Sequence, residues 1–148
     1  MTPYEIDVVL NHPRYLPTRA KKGDAGADLK ARIEGTGSVT LNPNEQKLIM
    51  TGVKIAIPMG WTGLITPRSG MALKQRVRIG NSPGVIDAGY RDEIGVIIHN
   101  DSDDLLKIDD GDRIAQLLIM PCVICGFDPV TSLPESERGI GGFGSTGV

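Results

Sequence analysis

Asp87 closes the run Asn81-Ser82-Pro83-Gly84-Val85-Ile86-Asp87 and is well placed by type and position to act as a base. It directly follows the apolar pair Val85-Ile86, so it is expected to emerge where a buried strand breaks surface. A carboxylate there is partly shielded from water and can be tuned to take a proton. Tyr90, just beyond it, supplies a flat ring with a polar tip, and Asn81 carries both an amide donor and a carbonyl acceptor. Together they can hold a small heterocycle beside a base. The same residue types also make an ordinary surface turn, since turns favour Asp, Asn and Gly for backbone reasons. Short β-branched runs on either side make the stretch read as a β-hairpin whose turn is permitted by Gly89.

Four further blocks carry polar chemistry. In Pro67-Arg68-Ser69-Gly70-Met71-Ala72 an Arg fork, a hydroxyl and free backbone N–H groups converge where a short helix begins, with Ser69 as a candidate N-cap. That is the local recipe for binding phosphate oxygens, and Gly70 leaves the amides open to an anion; a capped helix with a solvated Arg uses the same residues. In Gly111-Asp112-Arg113-Ile114-Ala115-Gln116-Leu117 a turn feeds a strand, and alternation places the Gln116 amide among apolar neighbours. It must bond either to sheet-edge backbone or to a ligand or reacting water. The small residues around Asp28 in Gly23–Ala31 precede a strand-like Leu29–Ile33 and let a cation or bound water come close to the acid, or simply make a turn entering that strand. The Gly-rich end, from Arg138 through Gly142, Phe143, Gly144, Ser145, Thr146 and Gly147, has the composition of a flexible arm. Phe143 can stack on a flat base while Arg138, Ser145, Thr146 and the glycine amides close on phosphates, although no Gly-Lys-Ser/Thr follows as in a P-loop.

The elements that must position these blocks are short. Apolar runs such as Ile6–Leu10, Val39–Leu41, Val53–Ile57, Val77–Ile79, Ile94–Ile98 and Ile114–Met120 alternate with breaks such as Asn42-Pro43-Asn44, Pro58-Met59-Gly60 and Asp109-Asp110-Gly111. The breaks come too often for helices of ordinary length, so the pattern is all-β, a barrel or jelly-roll-like sandwich. One brief helix is expected, from Ser69 to about Gln75. A length of 148 residues makes one domain with a real core. Residues 1–130 are read as the barrel and 131–148 as linker and arm. A net charge of −2 without a long basic run excludes wrapping of duplex nucleic acid. No run is long enough to span a membrane and the start lacks a secretory pattern, so a cytoplasmic protein is expected. Cys122 and Cys125 form a lone CxxC in the apolar stretch Leu117–Phe127 and are expected to be reduced core thiols. A structural zinc site needs about four ligands, and neither histidine is near in sequence.

The five blocks, in this order and spacing, closely resemble the motifs of the trimeric dUTPase family: Ala25-Gly26-Ala27-Asp28-Leu29, Pro67–Ala72, Asn81–Arg91, Gly111–Leu117, and Arg138 through Gly147. The resemblance implies a dUTPase-like jelly-roll β-barrel, assembled as a homotrimer with three active sites at subunit interfaces. It implies Mg²⁺-dependent hydrolysis of dUTP to dUMP and pyrophosphate, which limits uracil incorporation into DNA and supplies dUMP for dTMP synthesis. On the matching positions, Asp87 would activate the water that attacks the α-phosphorus. Asn81 and the backbone of Gly84, Val85, Ile86 and Asp87 would read the uracil edge, and Tyr90 would lie under the deoxyribose and exclude a 2′-hydroxyl. Arg68, Ser69 and Gly70 would hold phosphates, Gln116 would help place the α-phosphate or the water, and Asp28 would act on the metal through water, the Mg²⁺ being held mainly by the triphosphate. Arg138, Gly142, Phe143, Gly144, Ser145 and Thr146 would form the closing arm. Gly95 stands where relatives often carry a longer residue, so its contact to substrate would come from backbone.

The nearest rival by fold is a dCTP deaminase, which is similar but uses a glutamate in its hairpin block and lacks the Gly-Phe-Gly-Ser-Thr end. Asp87 and Phe143 therefore favour the phosphohydrolase. A non-catalytic nucleotide-sensing protein on the same fold would not need Asp87, Gln116 and the arm, and a structural β-sandwich subunit would need none of the five blocks.

Overall fold

In the computed structural model, residues 5–140 are described. The short apolar runs become strands, and the Asn, Pro and Gly breaks become the turns that end them. In chain order they are β1 (Val8–Leu10), a 3-10 turn (Pro13–Tyr15), β2 (Ala27–Lys30), β3 (Ser38–Leu41), β4 (Gln46–Met50), β5 (Val53–Ile55), β6 (Trp61–Thr66), helix α1 (Ser69–Gln75), β7 (Val77–Ile79), β8 (Gly84–Ile86), β9 (Gly95–Asn100), β10 (Leu106–Asp109) and β11 (Arg113–Pro121). The expected all-β class with one brief helix is borne out. Pairing is antiparallel throughout these strands: β2-β11-β6-β8 form one sheet, β4-β9-β7 a second, and β1-β5 and β3-β10 two ribbons. Leu29, Ile65 and Leu117 from the first sheet and Ile49, Val96 and Ile98 from the second meet in a single core. Each such side chain contributes about 1.5–3 kcal/mol by leaving water. Asn100 is fully buried among them, and its amide donates to the carbonyls of Leu41, Asn42 and Asp104 while its oxygen accepts from Ser102.

Several expectations are corrected. β8 and β9 do not form a hairpin with each other: β8 pairs with β6 and β9 with β4 and β7, so the Asp87–Ile94 connection crosses between two sheets. Its tight point is closed by the Tyr90 N–H donating to the Asp87 carbonyl, and Gly89 does not take a positive φ. Ser69 is the first helical residue of α1; Arg68, extended at φ −80 and ψ 129, is the N-cap and makes no side-chain capping bond. The extended backbone of Arg68 accompanies a guanidinium directed at β2. Asp28 sits inside β2 and not in the turn before it. The last strand ends at Pro121, and the chain from Met120 to Ile140 is exposed. Cys122 and Cys125 are consequently exposed free thiols, not core residues, because the apolar run that holds them leaves the sheet.

Candidate active site

The four-stranded sheet brings three of the polar blocks into one row. Gln116 on β11 stands opposite Asp28 on β2 and opposite Thr66 on β6. Directly opposed residues share a face, so Asp28, Gln116 and Thr66 line up across three strands. Gly26 makes room for this: a Cβ there would meet the Gln116 side chain at 3.1 Å. Pro67 and Arg68 follow β6 directly and return the Arg68 guanidinium to the row, its Nε donating to Asp28 Oδ1 at 2.9 Å. Arg113 donates from Nη1 to the other oxygen, Oδ2, at 3.3 Å. Asp28 is only 5% exposed, so its charge is held in place by two guanidinium groups in a setting of reduced dielectric. The half-buried Gln116 amide has no hydrogen-bond partner among the described residues and faces the same side. Ser69 and Gly70 lie exposed at the start of α1, and a Cβ at Gly70 would project into open space, which leaves the backbone amides accessible. Next to this row Arg68, Arg113 and Lys107 line a cavity of about 230 Å³ with Asp112, a net cationic recess fit for phosphate oxygens.

The second group lies on the connection from β7 to β9. The Asn81 amide rests against Gly84, where a Cβ would come within 3.4 Å of Nδ2 and 3.2 Å of Ile65 Cβ. A glycine at 84 thus lets the Asn81 amide pack directly on the buried backbone there. Val85 is 59% exposed and Asp87 is exposed too, so the acid does not emerge from a buried strand as expected. It borders a largely apolar cavity of about 430 Å³ with Thr62, Leu64, Val85, Ala88 and Gly89. Tyr90 is 39% exposed, and its hydroxyl donates to the Glu93 carbonyl at 2.8 Å. Gly95 opens β9 and is pressed on Leu48, whose Cδ1 would be 2.6 Å from an added Cβ.

The two groups do not meet within one chain. Ile86, next to Asp87, pairs with Gly63, whereas Gln116 pairs with Thr66; three residues along β6 and two strand spacings across it separate them by on the order of 14 Å. Between them on the same face run Leu118, Leu64 and Val85, an apolar strip flanked by the polar row at one end and Asp87 at the other. Arg138 is exposed on the outlying segment; Gly142, Phe143, Gly144, Ser145 and Thr146 lie outside the described residues.

Two features escaped the sequence reading. Arg113 lies in the Gly111–Leu117 block but had no role assigned; its partner Asp28 is 85 residues away, a contact that no local spacing marks. Glu93 and Arg32 form a bidentate pair, Nε to Oε1 at 2.8 Å and Nη2 to Oε2 at 2.9 Å, with the Gly52 N–H also donating to Oε1 at 2.6 Å. Burial by itself would raise the Glu93 pKa, but Arg32 and the Gly52 N–H outweigh it and hold the carboxyl below its ordinary value.

The profile of the dUTPase family matches residues 13–147. The chain is 46% identical over 137 residues to the deoxyuridine 5'-triphosphate nucleotidohydrolase of Cutibacterium acnes, covering 92% of this chain and 88% of that protein. It is 49% identical over 134 residues to that of Corynebacterium diphtheriae, covering 90% and 86%. Its fold is similar to the dUTPase of Staphylococcus bacteriophage 80alpha solved with dUPNHPP, with a TM-score of 0.87 at 34% identity, covering 99% of this chain and 100% of that one. A mutant dUTPase of phage phi11 of S. aureus, at 28% identity, a TM-score of 0.78 and coverage of 89% and 100%, reveals the coordination of a structural Mg(II) ion.

Proposed function

The chain belongs to the dUTPase family and is a dUTP diphosphatase, and from that premise we propose that it works at sites shared between copies of itself in a homotrimer. The observation that carries this reading is the separation of Asp87 from the Asp28-Gln116-Arg68 row on one face of one sheet. A neighbour that covers the apolar strip Leu118, Leu64 and Val85 head to tail brings its Asp87 onto the first copy's polar row. Such a heterologous contact closes into a ring when the rotation permits, and a ring of three carries three sites.

In that site Asp87 takes a proton from the water that attacks the α-phosphorus; the new O–P bond forms as the bond to the bridging oxygen breaks, releasing dUMP and pyrophosphate. Arg68, Arg113 and the Ser69 and Gly70 amides bind phosphate oxygens, and the unpartnered Gln116 amide orients the α-phosphate or the attacking water. Asn81 and the backbone of Gly84, Val85 and Ile86 read the uracil edge. Cytosine offers an amine where that edge requires a carbonyl, and the mismatch leaves buried groups unpaired. Tyr90 lies under the deoxyribose, and the arm with Arg138, Gly142, Phe143, Gly144, Ser145 and Thr146 closes over the nucleotide and excludes water. Gly95 touches substrate through backbone only.

The residues fit Mg²⁺ of one kind. Among the described residues no three Asp, Glu, His or Cys side chains cluster, and each Asp28 oxygen already accepts from an arginine. This donor set suits an ion that arrives on the triphosphate and keeps much of its water, with Asp28 reaching it through a water. When bound, the ion offsets negative charge on the phosphates. Asp28 itself orients Arg68.

Subunit mixing tests the shared site. Asp87→Asn and Gln116→Ala are each expected to be nearly inactive in pyrophosphate release from dUTP. Denatured together in equal amounts and refolded, they should recover about a quarter of parental activity, because one site in four then draws both intact residues from different copies. No recovery in refolded mixed trimers would place the whole site in one chain.

A further inference from the structure

We propose that Glu93 is a positioning residue for sugar selectivity: gripped by Arg32, it fixes the backbone carbonyl that holds the Tyr90 hydroxyl, and thereby sets the ring on which the 2′ position is sensed. The inference rests on the reading of Tyr90 given above.

The connection between the sheets packs Ala88 against the core at its near end, and its polar ties to the barrel gather at Glu93. On its far side the chain is locked at once: Ile94 N–H donates to the Val53 carbonyl at 2.8 Å, and the Ile94 carbonyl accepts from Thr51 N–H at 3.1 Å and from the Thr51 hydroxyl at 2.8 Å. On its near side the bonds are local. Tyr90 N–H donates to Asp87, Arg91 donates to the Ala88 and Tyr90 carbonyls, and the Lys54–Asp92 pair at 3.1 Å is exposed at both ends. Exposed pairs of that kind hold little. Among the described residues, the hydrogen bond that ties the Tyr90 ring itself is the one from its hydroxyl to the Glu93 carbonyl.

Glu93 in turn is held by three hydrogen bonds from two partners. Both oxygens accept from the Arg32 fork, and Oε1 also accepts from Gly52 N–H. Arg32 is fixed by its own N–H to the Met50 carbonyl at 2.7 Å. Gly52 has φ +72 and lies on the Tyr15 ring, where a Cβ would come within 2.6 Å of Cδ2, so its N–H cannot shift without moving the core. A buried ion pair of this sort gives little net stability over an apolar replacement. What an apolar pair cannot supply is a carbonyl aimed at a phenol to within hydrogen-bond tolerance. A sugar site that rejects a single hydroxyl needs that precision, since loosening its wall by a few tenths of an ångström admits the larger substrate.

The test compares Glu93→Gln, Tyr90→Phe, Tyr90→Ala and the Glu93→Gln/Tyr90→Phe double variant in kcat and KM for dUTP and for UTP, with thermal melts alongside. The amide of Glu93→Gln faces Arg32 or Gly52 with a donor, so the grip is lost while size is kept. Expected are a rise in KM for dUTP larger than the fall in kcat, and a drop of about tenfold in the kcat/KM preference for dUTP over UTP, matched by Tyr90→Phe and no larger in the double variant. A Glu93→Gln enzyme with a lowered Tm and parental preference, while Tyr90→Ala loses it, would overturn the proposal and leave the Tyr90 reading standing. Additive losses in the double variant would overturn it as well. Parental preference in Tyr90→Ala would remove both. If Glu93→Gln does not fold, Tyr90→Phe breaks the same link from the other end, and parental preference there overturns the proposal.

Discussion

The polar row on the four-stranded sheet and the connection that carries Asp87 hold their side chains by different means. Asp28, Gln116 and Thr66 stand on three paired strands, and Asp28 is clamped by Arg68 and Arg113. Asn81, Asp87 and Tyr90 are exposed, on backbone that passes between two sheets. The row has a fixed field prepared for phosphate charge before substrate arrives, which is what electrostatic preorganisation needs. In the proposed site the connection would present groups to a flat base and a sugar, and in a single chain its acid lies away from the polar row. The difference teaches that the fold alone finishes one end of the site, and under the proposed shared site a neighbouring copy would finish the other.

The largest effect should come from the exposed end. Asp87→Asn is expected to lower turnover of dUTP by about a thousandfold while leaving nucleotide affinity within a few fold, since it removes the base and keeps the shape. Isothermal titration with an unreactive dUTP analogue beside a pyrophosphate assay reads both; near-parental turnover would cancel the assignment. Deleting residues 138–148 should lower turnover on the order of a hundredfold through lost positioning. The barrel should be unaffected, because the described part of that segment is exposed. A collapse of the β circular-dichroism signal on truncation would make the segment structural instead.

The prepared end should respond differently, in stability as well as rate. Asp28→Asn leaves two guanidinium groups facing a neutral amide. With Arg68 a quarter exposed and Arg113 half exposed, solvent screens part of the loss, so about 1–3 kcal/mol is expected where a fully buried pair would lose 3–5. Urea unfolding measures it, and KM for dUTP should rise because Arg68 loses its orientation. Full parental stability would mean that the clamp is ornamental to the fold.

Much of this was legible in the sequence, for reasons that are local. The bounds of α1 at Ser69–Gln75 and of β7 at Val77–Ile79 follow from breakers and short β-branched runs, although the cap expected at Ser69 is not formed. The five motif blocks were recognisable by their order and spacing, and the roles given to them are those the family resemblance implies. What was not legible is non-local. Nothing in Gly84–Ile86 says that it prefers β6 to the strand after its own turn, because pairing is decided by which edge is free. Arg32 and Glu93 lie 61 residues apart, and no periodicity joins them. The apolar stretch Leu117–Phe127 looked like one buried run because hydropathy does not mark where a strand leaves its sheet; Val123 is 85% exposed and Phe127 98%.

The smallest effect concerns the Arg32–Glu93 pair behind the connection, and its sign can be worked out. Burial would raise the pKa of both Glu93 and Asp110. In Glu93 it is outweighed by Arg32 and the Gly52 N–H, and in Asp110 by the Ile33 N–H, the Tyr15 hydroxyl and Arg14, so each carboxyl sits below its ordinary value. A carboxyl whose pKa is lower folded than unfolded adds stability above its unfolded pKa and loses that contribution as pH falls through the folded one. The parent should therefore keep its Tm from neutral pH down to the usual carboxylate range and decline below it. Arg32→Ala should melt lower at neutral pH, and the gap to the parent should narrow in acid, because protonation strips the parent of the same pair. A gap that stays constant down to about pH 3 would mean that Arg32 supports the barrel by packing its stem, not by holding the Glu93 charge.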